Sequence, residues 1–245
     1  MFKFLKNVIA YSFVPVILVI TTLLCLPIAL LPEKYRYKSR IFHLFVNVCA
    51  RLIFFFGFIK YKIYGKNNLP DHNNPAVFVM NHTSSLDIPV IELILGSQPR
   101  IWITKAEYTK VPVWGFVLNR MHVALKRESH SSVKHAMEKI FKLASDYGSH
   151  IALFPEGRRY TDGKIHSLFP GFAVMAQTLD RSVIPIAVSG LNKILPSKSF
   201  LVDSYAQTVK IKIGPAINYK DFQTRQDFVE YTQMWFEKEL ESKSE

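Results

Sequence analysis

The chain begins with a long apolar run. No charged residue occurs from Asn7 to Pro32, which exceeds the ~20 residues a bilayer-crossing helix needs. Pro15 and Pro27 lie inside it and predict a kink or an interruption. A second apolar stretch, Ile41 to Ile59, is broken by Arg51. The first run reads as a retained membrane segment or as a cleaved signal peptide. It is longer than the ~7–15 apolar residues of a signal core and lacks a clear small-x-small cleavage site, so retention is favoured. The pattern leaves open whether it spans the bilayer or forms a hairpin with Ile41–Ile59.

Beyond about residue 60 the pattern changes. Short apolar runs bounded by polar or turn residues predict buried strands at Ala76–Met80, Ile101–Thr104, His122–Leu125, Ile151–Phe154 and Ile184–Val188. Val209, Ile211 and Ile213 alternate with Thr208, Lys210 and Lys212, the period of a half-exposed strand. Apolar positions at three- and four-residue spacings predict a helix over Ser129–Tyr147, stopped by Gly148. Asp221–Leu240 reads as a terminal amphipathic helix. Strands alternating with helices predict an α/β fold, a mixed sheet flanked by helices. The expected division is an N-terminal apolar helical membrane segment over 1–60 and an α/β domain over 61–245.

Composition gains meaning from where it lies. The 245 residues are 49% hydrophobic and 20% charged, which excludes a disordered chain. Lysine and arginine outnumber acids 31 to 19, a net charge of +12. Ten of those cations and only Glu33 among the acids fall within residues 1–66. Cations flanking apolar segments suit anionic lipid headgroups, at ~1 kcal/mol each near the surface. The basic-and-aromatic interleaving of a nucleic-acid surface is missing beyond Lys66, so no nucleic-acid partner is expected. If the first segment spans, the heavier charge after it places the domain on the cytoplasmic side. Cys25 and Cys49 both lie in the apolar segments, with neither a disulfide framework nor metal-ligand spacing.

Two motifs follow predicted strands. In Asn81-His82-Thr83-Ser84-Ser85-Leu86-Asp87, a histidine can take a proton from a hydroxyl, and a carboxylate on its other nitrogen would orient it. On a regular helix these two residues would point roughly 140° apart. They meet only if His82 sits in the turn before the helix and Asp87 in its first turn. The alternative is structural: Ser84 to Asp87 also matches a capping box, with His82 as a loop residue. The second motif is Phe154-Pro155-Glu156-Gly157-Arg158-Arg159, at a strand end, where α/β sites lie. Gly157 permits a tight turn, and an arginine fork can grip a phosphate through two hydrogen bonds; an ordinary strand-end turn with solvated arginines is the alternative. Lys105 and Arg127 each follow a strand and can converge on the same anion or stand as surface charges. His122, His130, His135, His150 and His166 read as surface or packing residues. No serine lies in a G-x-S-x-G elbow, and no phosphate loop or dinucleotide glycine signature occurs.

The order of these motifs over residues 45–215 resembles the glycerolipid acyltransferase family, typified by bacterial 1-acyl-glycerol-3-phosphate acyltransferases. Tyr61 to Pro70 is similar to its lead-in, Asn81-His82 through Asp87 to the N-H-x4-D block, and Lys105 to a basic position between blocks. Val123-Ala124-Leu125-Lys126-Arg127 is similar to the second block, Phe154 to Arg159 to the F-P-E-G-T-R block, and Ile184 to Val188 to the fourth. Arg158 stands for the usual threonine, Phe169 where lysine is frequent, and Leu125-Lys126 for Ile-Asp. The resemblance implies His82 and Asp87 as the catalytic pair and Lys105, Arg127, Glu156, Gly157 and Arg159 as substrate-binding residues. It implies acyl-CoA or acyl carrier protein as donor, a lysophospholipid acceptor at a membrane, and neither a metal nor a tightly bound cofactor. The favoured acceptor is 1-acyl-glycerol-3-phosphate; another lysophospholipid or glycerol-3-phosphate, a thioesterase, and a non-catalytic lipid-binding protein are the alternatives. A bacterial inner membrane with the catalytic domain on its cytoplasmic side is the expected location. An amide near Gly157 or just after His82 is the expected oxyanion donor.

Overall fold

The computed structural model describes residues 2–71, 73–126, 129–160, 162–196, 202–203 and 207–241. The charge-free run forms one helix, α1 (Phe2–Leu30), with Pro15 and Pro27 inside it. A short α2 (Glu33–Arg36) leads to α3 (Arg40–Phe56), whose first turn is capped by the Ser39 hydroxyl accepting from the Phe42 amide at 3.2 Å. α1 and α3 lie against each other, and Phe13 stacks on Phe56 with ring centroids 4.5 Å apart. The segment Phe4–Leu30 is long and apolar enough to cross a membrane, and an 18-residue window within it has a mean hydropathy of 2.6. Only 22% of the residues of that window are buried, so most of them have little protein cover. This fits association with a membrane.

The remaining elements, in order, are β1 (Tyr61–Tyr64), β2 (Val77–Met80), α4 (Asp87–Leu95), β3 (Arg100–Lys105), α5 (Trp114–Met121), β4 (Val123–Leu125) and α6 (His130–Tyr147). They are followed by β5 (His150–Leu153), α7 (Gly171–Leu179), β6 (Val183–Ser189), α8 (Leu191–Ile194), β7 (Val209–Ile213) and α9 (Arg225–Glu241). Among the described residues seven strands form one sheet in the order β1-β7-β6-β2-β5-β3-β4. All neighbours are parallel except β6 and β7, which makes the sheet mixed. The helix over 130–147 starts at its Ser129 cap and stops at Gly148, where φ is +61° and a side chain would be strained.

β2 is buried on both faces because its alternate residues enter different cores. Val77 and Val79 pack with Ile140, Leu143, Phe172 and Phe228 of α6, α7 and α9. Phe78 and Met80 pack with Phe54, Val90 and Ile91 of α3 and α4. α3 therefore belongs to one of the two helical layers covering the sheet. The end of α1 is docked too: Cys25 and Ala29 pack against Phe42, Val117 and Met121, and Arg120 Nε donates to the Ala29 carbonyl at 3.0 Å. That guanidinium satisfies a carbonyl the helix terminus leaves unpaired.

Buried histidines serve the sheet. His150 Nδ1 accepts from the Ala76 amide at 3.0 Å, and His122 Nδ1 from the Trp102 amide at 3.4 Å. Burial pushes the His122 imidazole down to about 4, which keeps it neutral and able to accept. Asn81, just beyond β2, bridges to β6: its Nδ2 donates to the Val188 carbonyl at 2.9 Å and its Oδ1 accepts from the Val188 amide at 2.8 Å. Asn81→Leu leaves both backbone groups of Val188 buried without those partners, and we expect a loss of about 2–4 kcal/mol in denaturant unfolding. A loss under about 0.5 kcal/mol would show that the bridge does not hold the two strand ends together.

Candidate active site

β2 and β5 are parallel neighbours, so the segments leaving their carboxyl ends lie side by side. The first carries His82 and the second Phe154 to Arg159. α4 begins at Asp87, which puts His82 in the preceding turn and the carboxylate in the first helical turn. This meets the one condition under which the two could touch. His82 Nδ1 lies 2.8 Å from Asp87 Oδ2.

The same Oδ2 accepts from the amides of Thr83 at 2.6 Å and Ser84 at 2.8 Å. The capping-box alternative is not what the structure shows: the residue before α4 is Leu86, with no side-chain cap bond, and Ser84 Oγ accepts from the Leu86 amide at 3.3 Å instead of pairing with the Asp87 amide. Asp87 is fully buried, and the helix N-terminus adds partial positive charge beside it. A carboxylate on Nδ1 fixes the proton there and leaves the lone pair on Nε2. Among the described residues Nε2 has no hydrogen-bond partner, while the side chain keeps 14% of its surface open.

Glu156 supports the pair from behind. Its Oε2 accepts from the His82 amide at 2.8 Å and its Oε1 from the His166 amide at 3.0 Å. The carboxyl therefore ties the turn after β2 to the segment after β5. Burial pushes it up to about 7, against the opposing pull of the two amides. Gly157 sits in the tight turn at φ +75°, with its amide donating to the Phe154 carbonyl at 3.1 Å. The amides of Thr83, Ser84 and Gly157 are all engaged within the protein. The turn geometry uses these three amides to build the site.

Arg159 meets two hydroxyls. Its Nη1 donates to Ser85 Oγ at 2.6 Å and its Nη2 to Tyr108 Oη at 3.1 Å. Ser85 leads into α4, and Tyr108 lies in the 3-10 turn Ala106–Lys110 after β3. Lys105, the exposed last residue of β3, immediately precedes that turn. Arg127 lies outside the described residues. Arg158 turns away onto Tyr160, with Nε 2.7 Å from its hydroxyl. His166 is not isolated: its ring stacks on Tyr160 and its Nε2 lies 2.8 Å from Asp162 Oδ2. The contacts of Arg159 with Ser85 and Tyr108 and the stack of Phe154 on His82 have no signal in the sequence, since none of these pairs sits at a diagnostic spacing. Among the described residues no group of three or more His, Cys, Asp or Glu side chains is placed to hold a metal ion.

The raised Glu156 carboxyl makes stability depend on pH. Its folded-state value near 7 lies above the ordinary 4.5, so between these values the folded protein binds more protons than the unfolded chain. The Glu156 contribution is present below about 4.5 and is lost as pH rises towards 7. Compared with Glu156→Gln in denaturant titrations, the wild-type advantage should narrow across that window. A gap that widens would contradict this protonation behaviour.

A family described as Acyltransferase matches residues 60–189, just over half of the chain. A chloroplastic 1-acyl-sn-glycerol-3-phosphate acyltransferase of Arabidopsis thaliana is 34% identical over 71% of this chain and 47% of its own length. A chloroplastic relative of the same description from Brassica napus is 32% identical over 75% of this chain and 52% of its own. The chain thus spans about half the length of these curated relatives. The crystal structure of the 1-acyl-sn-glycerophosphate acyltransferase of Thermotoga maritima matches the fold with a TM-score of 0.75 at 24% identity, covering 98% of this chain and 95% of that one. With plastid proteins and a bacterial one among the matches, the expected bacterial inner membrane gains no support from them. The segment that the family model covers includes the whole His82, Asp87, Glu156 and Arg159 cluster, and the chain belongs to the acyltransferase family.

Proposed function

We propose that this protein transfers an acyl chain from acyl-CoA or acyl carrier protein to the free hydroxyl of 1-acyl-glycerol-3-phosphate, forming phosphatidic acid for phospholipid synthesis. The observation that carries this reading is His82, oriented by Asp87 at 2.8 Å with Nε2 unengaged, on the turn next to the one bearing Arg159. The relatives described as 1-acyl-sn-glycerol-3-phosphate acyltransferases support the choice of acceptor. Residues 1–60 would hold the protein at the membrane, where an acceptor with one acyl chain resides, and 61–245 would carry the chemistry.

His82 Nε2 takes the proton of the acceptor hydroxyl as its oxygen attacks the thioester carbonyl. Asp87 supports the imidazolium that forms. The tetrahedral intermediate collapses, the C–S bond breaks, and the departing sulfur takes the proton from Nε2. No enzyme nucleophile enters the path, so no acyl-enzyme forms. Lys105, Arg127 and Arg159 bind the acceptor phosphate, and the two hydroxyls on Arg159 set its fork in place before substrate arrives. Holding hydroxyl and thioester together supplies much of the rate. Glu156 and Gly157 shape the acceptor side of the site.

The test is purified protein with labelled acyl-CoA or acyl carrier protein and a panel of acceptors: 1-acyl-glycerol-3-phosphate, other lysophospholipids and glycerol-3-phosphate. Phosphatidic acid is the expected product. Free fatty acid as the sole product would make the protein a thioesterase, and lipid binding without acylation would make it a non-catalytic lipid-binding protein. His82→Ala should lower kcat by about 10²–10⁴-fold without unfolding, as loss of a general base does; retention of more than roughly a tenth of the rate would exclude that role. Arg159→Ala should chiefly raise acceptor KM. An unchanged acceptor KM and kcat/KM would remove Arg159 from the phosphate site.

A further inference from the structure

One side chain touches the imidazole of His82 over its whole face. The Phe154 ring lies parallel to it, with centroids 3.8 Å apart and planes 10° from parallel. Phe154 is itself buttressed. The Trp102 ring lies against it, tilted, with centroids 5.5 Å apart, and the Trp102 indole N–H donates to Glu92 Oε1 at 2.8 Å. Glu92 is buried, and Arg100 Nε donates to the same Oε1 at 3.1 Å while its Nη2 pairs with Oε2. The Glu92 backbone carbonyl accepts from Asn47 of α3 at 2.6 Å. A chain of fixed groups therefore runs from the buried ion pair to the imidazole face.

We infer that Phe154 is a positioning residue for His82: its ring face sets the imidazole plane and stabilises the imidazolium that forms when the acceptor hydroxyl gives up its proton. The inference rests on the general-base role proposed for His82. An aromatic face carries negative charge density, so a cation over it is attracted where a neutral ring gains little. The proton on Nε2 exists only between attack on the carbonyl and release to the departing sulfur, so this attraction grows in the transition state. It acts beside the other groups around His82. Asp87 of α4 holds Nδ1, Glu156 holds the backbone amide, the Tyr160 amide donates to the His82 carbonyl at 2.9 Å, and Arg159 is held by Ser85 of the same turn. None of these contacts involves the Phe154 side chain.

Phe154→Leu keeps an apolar side chain and removes the π face. We expect kcat to fall about 3–10-fold with KM for donor and acceptor near wild type. The imidazolium is then less stable, so the neutral base persists to lower pH. The acid limb of kcat/KM should move down by about half a unit to one unit. Phe154→Tyr, which restores the face, should return both to wild-type behaviour. A leucine variant with wild-type kcat and acid limb overturns the inference. So does a tyrosine variant as impaired as the leucine one, since the effect would then be packing alone. If Phe154→Leu is misfolded by circular dichroism, Phe154→Met is read against the same criteria. The histidine ring signals of full-length labelled protein in detergent, with His82 identified by its loss in His82→Ala, give a readout independent of turnover. The His82 signal should titrate at lower pH in the leucine or methionine variant, and an unchanged titration overturns the inference. An active His82→Ala enzyme would instead sink the general-base role, while the ring titration would still report on the stack.

Discussion

The site depends on one buried oxygen. Asp87 Oδ2 takes the His82 ring and the amides of Thr83 and Ser84 together, all within 2.8 Å. A fully buried carboxylate is costly unless donors surround it. Here the donors, all on Oδ2, are the turn between β2 and α4 and the imidazole that the turn carries, while Oδ1 is buried without a hydrogen-bond partner among the described residues. The bonds that shape this turn therefore also orient the His82 ring. Removing the carboxylate would release the turn and the ring together.

Around that oxygen the site is stiffened from three sides. Asn81 pins the end of β2 to β6, and Glu156 joins the His82 turn to the segment after β5. Phe154, backed by Trp102 and Glu92, closes the face of the imidazole. Arg159 is held differently, by two hydroxyls from separate elements. Hydroxyls bind a guanidinium without neutralising it, so its charge remains available to an anion. The site thus combines a stiffly supported imidazole with an unneutralised guanidinium.

The apolar N-terminal helices follow another logic. α1 is apolar nearly all round, so most of it finds no protein partner. Its final turn is nevertheless fastened to α5 by Arg120 and to α3 through Cys25, Ala29 and Phe42. α3 in turn supplies Phe54 to the core beneath the sheet. The apolar helices are therefore joined to the layer that holds α4 and Asp87.

Local pattern determined a good deal by itself. Strands buried on both faces, such as Ile151–Leu153 and Ile184–Val188, were legible as continuous apolar runs, and α6 as a three-four periodicity ended by glycine. β1 was harder to read, since Tyr61-Lys62-Ile63-Tyr64 is a half-exposed four-residue run. α7 was hidden because Gly171–Leu179 is too short and too uniformly apolar to show a face. The order of the motifs pointed to the family, and the charge-free run pointed to a membrane helix. Only the tertiary structure decided that His82 and Asp87 meet, because their contact depends on where α4 begins and not on their spacing. It also decided that Glu156 braces two backbone amides and that Tyr108, 51 residues before Arg159, holds its guanidinium. Such contacts join separate strand ends. They follow from the strand order of the sheet, which long-range packing sets and local periodicity does not encode.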